Sequence, residues 1–217
     1  MNIKLTFVTL LYWAFGSLLA QPAEFTFVFL NKNPDAEKIA KEQSDKLMEG
    51  HMANINRLAN EGKLLVAGPF EGGGGIFVFN SESREQVKEW LDSDPAVQAN
   101  RWNVEILPFR PILGSICKAG EPYQMVTYHV VRFWPEIKKF TVGEAPELIT
   151  QHEEYWKKQN QSTEIITFAS FGEDGDMVIS ATAVDEAVLV NDPGIVAGLI
   201  RFEKKMLWIA KGSFCEK

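Results

Sequence analysis

The sequence predicts an α+β fold made of two ferredoxin-like β-α-β-β-α-β repeats that pack sheet to sheet as a pseudo-dimer. Three observations predict it. Strand-type and helix-type patterns follow one another in that order between Glu24 and Ile106. The same order recurs in the second half at a nearly constant offset. Each half also carries a turn between two short apolar runs, clearest in Lys63–Phe79, which reads KLLVAGPFEGGGGIFVF.

Phe25–Asn31, dense in Phe and Val, is the first strand candidate. Asn33-Pro34-Asp35 then predicts a helix start, with a capping Asn and Pro at the first helical position. The helical pattern runs to about Glu61 with Gly50 as a candidate break, and it sets Leu47, His51, Ile55 and Leu58 on one stripe. Leu64–Ala67 and Ile76–Phe79 follow as a hairpin around Gly68-Pro69 and the glycines Gly72 to Gly75, which tolerate φ > 0. The glycine run lacks the GK[ST] ending of a phosphate loop and precedes a strand, so it reads as a turn. Ser83 with Gln86 resembles a capping box for a second helix, whose buried stripe is Val87, Trp90 and Leu91. After Asp94-Pro95, the alternation of Trp102, Val104 and Ile106 gives the last strand.

The second half repeats this plan. Phe25–Asn31 recurs as Val126–Arg132, His51 as His152 and Phe70 as Phe171, each 101 positions on. Gly74-Gly75 recurs as Gly175-Asp176. Three residues are then lost, and at an offset of 98 Asp94-Pro95 recurs as Asp192-Pro193 and Gly114–Cys117 as Gly212–Cys215. Leu148, His152 and Tyr155 reproduce the stripe around His51. The chain reads as a tandem duplication, with repeats at 24–118 and 123–217 and a link at Lys118–Gln124. A ferredoxin-like unit covers one sheet face with helices and leaves the other in need of a partner. The two halves can supply it to each other, as two four-stranded sheets face to face with helices outside.

The formal charge of −7 argues against nucleic acid or an anionic membrane as the main partner. Lys4 followed by the apolar run Leu5–Leu19 has the shape of a signal peptide over residues 1–20, cut after Ala20. The run is short for a membrane span. The mature protein is therefore expected to be exported, periplasmic or secreted, and free of the membrane.

A helix histidine, then G-x-L-x-x-AGPF from Gly62 to Phe70, a glycine-rich turn and Asp-Pro after the second helix resemble the YCII-related family. Both halves carry the resemblance, the first more fully, because Ala169-Ser170 stand where the first half has Gly68-Pro69. It implies a dimeric α/β barrel with a cleft between each sheet and its helices. Some relatives act on ring compounds, as a dehydrochlorinase does, and similar barrels include muconolactone isomerases. The family's His–Asp site falls on His51 and Asp94, with a weaker second site at His152 and Asp192. Related barrels hold a haem, but no motif here asks for one and no cofactor is expected.

A carboxylate beside His51 orients the ring and favours its protonated form. Such a pair can take a proton from beside a carbonyl and return it elsewhere, which is isomerase or lyase chemistry. Gly68, Pro69, Phe70 and Trp90 are the candidate walls of a substrate pocket. The competing reading makes His51 a hydrogen-bonded core residue and Asp94 an N-cap before Pro95. Two function classes therefore stay open: an enzyme acting on a small molecule, and a non-catalytic binding or structural module. With three histidines, one of them His129 on a strand, and neither HExxH nor CxxC, no metal site is expected. Cys117 and Cys215 form an even pair only because a unit with one Cys was duplicated. The last strands are expected to end on opposite sides of the barrel, so two free thiols are expected.

Overall fold

A computed structural model describes residues 25–136, 139, 145–159 and 164–216, so the leader over residues 1–20 lies outside the described residues. The first half runs β1 (Phe25–Lys32), α1 (Lys41–Asn60), β2 (Leu64–Pro69), β3 (Gly75–Phe79), α2 (Arg84–Leu91), α3 (Pro95–Gln98) and β4 (Trp102–Leu113). The second runs β5 (Met125–Pro135), α4 (Ala145–Gln159), β6 (Ile165–Ser170), β7 (Asp176–Ser180), α5 (Glu186–Val190), α6 (Pro193–Val196) and β8 (Ile200–Ala210). Among the described residues, no helix is long and apolar enough to cross a membrane.

The first helix departs from expectation at two points. It begins at Lys41, not at Asn33. Asn33 instead closes a local turn, its Oδ1 accepting from the Asp35 N–H at 3.0 Å while its Nδ2 donates to Asn100 O at 2.9 Å. That side chain competes with helix formation. The helix also runs unbroken through Gly50, where a Cβ would sit 2.9 Å from Pro95 Cγ. Glycine there lets α1 lie directly against α3.

Every strand pairing is antiparallel, in the order β2-β3-β1-β4-β6-β7-β5-β8. The expectation of two separate four-stranded sheets is corrected here, because the eight strands form one sheet. The cause is the length of β4. Its partner β1 occupies Trp102–Phe109, and the overhang Arg110–Leu113 pairs with β6 through Ser170, Ala169 and Phe168. At the other end the chain just past β2 meets β8 through the bridge Phe70–Leu207 and a Glu71 N–H bond to Met206 O of 2.9 Å, which curls the sheet towards a barrel.

Strand alternation divides the core into three parts. Phe27, Phe29 and Phe109 point inward and meet Phe171, Met177, Ile179 and Leu207 of the second half. The Phe171 ring lies 5.3 Å from Phe27 and 5.7 Å from Phe29. Outside, Leu58, Val87 and Leu91 cover Val28, Phe77 and Phe79, while Trp156 and Leu189 cover Val131, Phe133 and Phe168. β1 is buried on both faces along its centre, which is why its apolar run is unbroken.

The free-thiol expectation is overturned. Cys117 and Cys215 form a disulfide with their Cα atoms 5.0 Å apart. The extensions after β4 and β8 turn towards each other rather than leaving on opposite sides, and the Cys117 N–H donates to Ser213 O at 3.0 Å. Ile116 and Phe214 both pack into the shared core, which brings the next residue of each extension together.

Candidate functional site

Asp94 and His51 meet because two local preferences converge. Asp before Pro is a natural N-cap, and Asp94 Oδ1 accepts from the N–H groups of Ala96 (2.9 Å) and Val97 (3.3 Å) to start α3. That leaves Oδ2 facing α1, where it lies 2.8 Å from His51 Nδ1 and accepts from Asn54 Nδ2 at 3.1 Å. Burial pushes the Asp94 carboxyl up, but the hydrogen bond and charge of His51, with Asn54 and the Val97 N–H, outweigh it and hold the group below its ordinary value. The His51 ring stacks on Phe77 at 5.9 Å and approaches Trp102 at 6.3 Å. A 190 Å³ hollow lined by Leu47, Met48, Ala96 and Trp102 lies alongside, but His51 is not part of its wall.

The second pair repeats the cap and changes its surroundings. Asp192 Oδ1 accepts from Gly194 N–H at 2.8 Å and Ile195 N–H at 3.4 Å to start α6. Its Oδ2 lies 2.6 Å from His152 Nδ1 and accepts from Trp156 Nε1 at 2.7 Å, a donation that Asn54 makes in the first half. On the far side of the ring, His152 Nε2 faces Asp176 Oδ2 at 3.6 Å. Nδ1 is in close contact with Asp192 Oδ2, whereas Nε2 has no hydrogen-bond partner, and the ring is fully buried.

Asp176 is pushed up to about 6, first by burial and further by Glu153, against the opposing pull of His152, Ser170 and Arg110. A cavity of 70 Å³ opens beside the pair, lined by His152, Asp176, Ser170 and Glu153 with Phe133, Ile149 and Ile200 among its apolar walls. An imidazole thus stands between two carboxylates, one of which changes charge near neutrality. That is an arrangement able to store and pass a proton.

Sequence reasoning missed Asp176 and Ser170, although a signal was present. Asp176 stands where the first half has Gly75, and a Cβ on Gly75 would lie 2.5 Å from Gly68 O. Ser170 stands in the place of Pro69. The departures that weaken the family resemblance of the second half are the ones that supply its polar groups.

The four expected pocket walls do not gather around His51. Phe70 points into the shared core, stacked on Phe29 at 6.3 Å with Lys205 Nζ 5.1 Å from its ring. Gly68 faces the backbone of Trp208, and Pro69 lines a 380 Å³ hollow with Phe70 and Trp208. Trp90 packs on Phe79 at 5.7 Å and lies 5.2 Å from Lys63 Nζ. For Phe70 strand parity is the reason, since it faces the inner core whereas His51 belongs to the helix layer outside the sheet.

His129 lines a different hollow, of 570 Å³, together with Lys205 and Met206. Among the described residues, no group of three or more His, Cys, Asp or Glu is set to hold a metal ion. Neither histidine pair fits a haem. Each Nδ1 lies within 2.8 Å of a buried carboxylate oxygen, and the adjoining spaces of 190 and 70 Å³ fall below the roughly 300–1,000 Å³ of drug-sized ligand pockets.

Residues 25–110 match the YCII-related domain. Crystal structures of two mutant chlorite dismutases from Candidatus Nitrospira defluvii share the fold. One superposes with a TM-score of 0.52 at 10% identity, covering 88% of this chain and 93% of that one. The other, in complex with cyanide, gives 0.53 at 9% identity, covering 89% and 92%. At such identities the likeness is one of fold. Among curated proteins, none matches this sequence.

Proposed function

With residues 25–110 forming a YCII-related domain, we propose that this protein is an exported, duplicated barrel that binds a small molecule and moves a proton on it at the His152–Asp176 pair. Duplication is supported by the two strand orders, β2-β3-β1-β4 and β6-β7-β5-β8, and by the recurrence of a His–Asp pair on matching elements. Export is supported by the leader-like residues 1–20 and by the disulfide, which persists in an oxidising compartment.

One observation carries the site: a fully buried imidazole lies between Asp192 and Asp176 and opens on a cavity. Asp176, pushed up to about 6, is present both as acid and as base near neutrality. In its ionised form Asp176 accepts a proton from a carbon beside a carbonyl, and the same oxygen returns it to another atom of the bound molecule. His152 stabilises the charge in between, and Asp192 orients the ring. The first-half pair supports the structural reading instead, because His51 is not in the wall of the adjoining hollow and glycine at position 75 leaves no second carboxylate opposite the ring.

Deuterium exchange tests this. Small ketones and β-dicarbonyl compounds are held with the protein in D₂O, and loss of their α-proton NMR signals is followed. Exchange above buffer is expected, to be lost in Asp176→Asn and His152→Gln and kept in His51→Gln. Exchange that survives Asp176→Asn, or no exchange with any compound, would overturn the assignment.

A further inference from the structure

We infer that the cavity beside His152 selects a small primary amine, an inference that rests on the reading of this site given above. The polar lining is nearly all of one sign. Asp176, Glu153 and Glu173 contribute carboxylates. Of the cations nearby, Lys157 lies 3.7 Å from Glu153 and 2.9 Å from Glu154, and Arg110 acts on Asp176 through its charge without outweighing the burial of that carboxyl. The acidic lining alone would be an ordinary solvated rim. His152 makes it a site, being fully buried, part of the cavity wall and without a hydrogen-bond partner at Nε2. A buried polar group left unmet costs free energy that a bound partner recovers.

The chemistry of the lining then sorts the ligands. A carboxylate would enter a space already held by carboxylates and be repelled. A neutral alcohol offers one O–H donor for several acceptors. An ammonium group carries three N–H donors and a positive charge, which suits Asp176, Glu153 and the unmet Nε2 of His152 together. The apolar walls Phe133, Ile149 and Ile200 take a short alkyl stem. At roughly 30 Å³ per water-sized group, 70 Å³ admits only a few non-hydrogen atoms. The first half lacks the matching carboxylate, since glycine stands at position 75 where Asp176 stands in the second.

The test uses the full chain with its disulfide intact, and ethylamine, ethanol and acetate as probes at equal ionic strength. Binding is read from thermal shift and from the His152 ring signals in NMR. Ethylamine is expected to bind about tenfold or more tightly than ethanol, and acetate not to bind. Affinity should rise from pH 5 to 7 as Asp176 ionises among His152, Asp192, Glu153, Glu173 and Arg110. Asp176→Asn, checked by circular dichroism for folding, should weaken ethylamine about tenfold. Glu153→Gln should weaken it less, and His51→Gln not at all. Ethanol or acetate binding as tightly as ethylamine overturns the amine inference. That outcome leaves proton transfer standing if the deuterium exchange above still depends on Asp176. Failure of all three probes to move the His152 signals also overturns it.

Discussion

His51–Asp94 and His152–Asp192 are built on one plan and differ in what faces the other side of the ring. In both, an Asp before Pro gives one oxygen to the start of a four-residue helix and the other to an imidazole on the long helix. In the first half Asn54 completes the cluster and position 75 is glycine. In the second half Trp156 completes it, and Asp176 closes on the far nitrogen beside a cavity. The cap is a structural demand that holds wherever the short helix exists. A His–Asp pair in this fold is therefore not itself a sign of chemistry. The group opposite the ring decides.

Removing the shared part should hurt both halves alike. Asp94→Ala and Asp192→Ala each take away a cap and one member of a buried pair, and each is expected to cost about 3–5 kcal/mol in urea denaturation. Clearly unequal costs would break the common plan. Asp176→Asn should act in the opposite direction. Its carboxyl is held near 6 against an ordinary 3.8, so at pH 8 the ionised group opposes folding by up to about 3 kcal/mol. The variant should gain part of that, and a loss of stability would show that ionised Asp176 is well paired.

A smaller effect separates the halves by pH. An acid whose value is raised on folding favours the fold more as pH falls through the interval between its folded and ordinary values. For Asp176 that interval runs from about 6 down to 3.8. Asp94 is lowered instead, so its contribution is full above its ordinary 3.8 and is lost as pH falls through its folded value. Hydrogen exchange, corrected for intrinsic rates, should show α4 gaining protection between pH 7 and 5 while α1 does not. Parallel behaviour of the two helices would remove the electrostatic distinction.

Much of this was legible before any coordinates. The strand and helix patterns carry their own periods, and the Asp-Pro and histidine positions recur at fixed offsets, so both pairs could be named from the sequence. What failed depended on direction rather than on pattern. Phe70 reads as a wall for His51 until strand parity turns it inward. Arg110–Leu113 reads as the end of one unit until its free edge finds β6. Asn33 looks like a helix cap, but its side chain is taken by Asp35 and Asn100. Asp176, at the end of a turn that is glycine-rich in the other half, looks solvated until packing within the second half buries it.

The bond between Cys117 and Cys215 turns the polypeptide into a ring with a tail. Strands β5 to β8 lie within the closed loop, whose ends are 98 positions apart, while β1 to β4 lie outside it. A single backbone cut between the cysteines leaves a molecule of full mass until it is reduced. A cut ahead of Cys117 releases a fragment at once. Light proteolysis followed by paired non-reducing and reducing gels would therefore reveal, band by band, which half was nicked. The half that carries His152 and Asp176 is the one a single nick cannot separate from the rest of the chain.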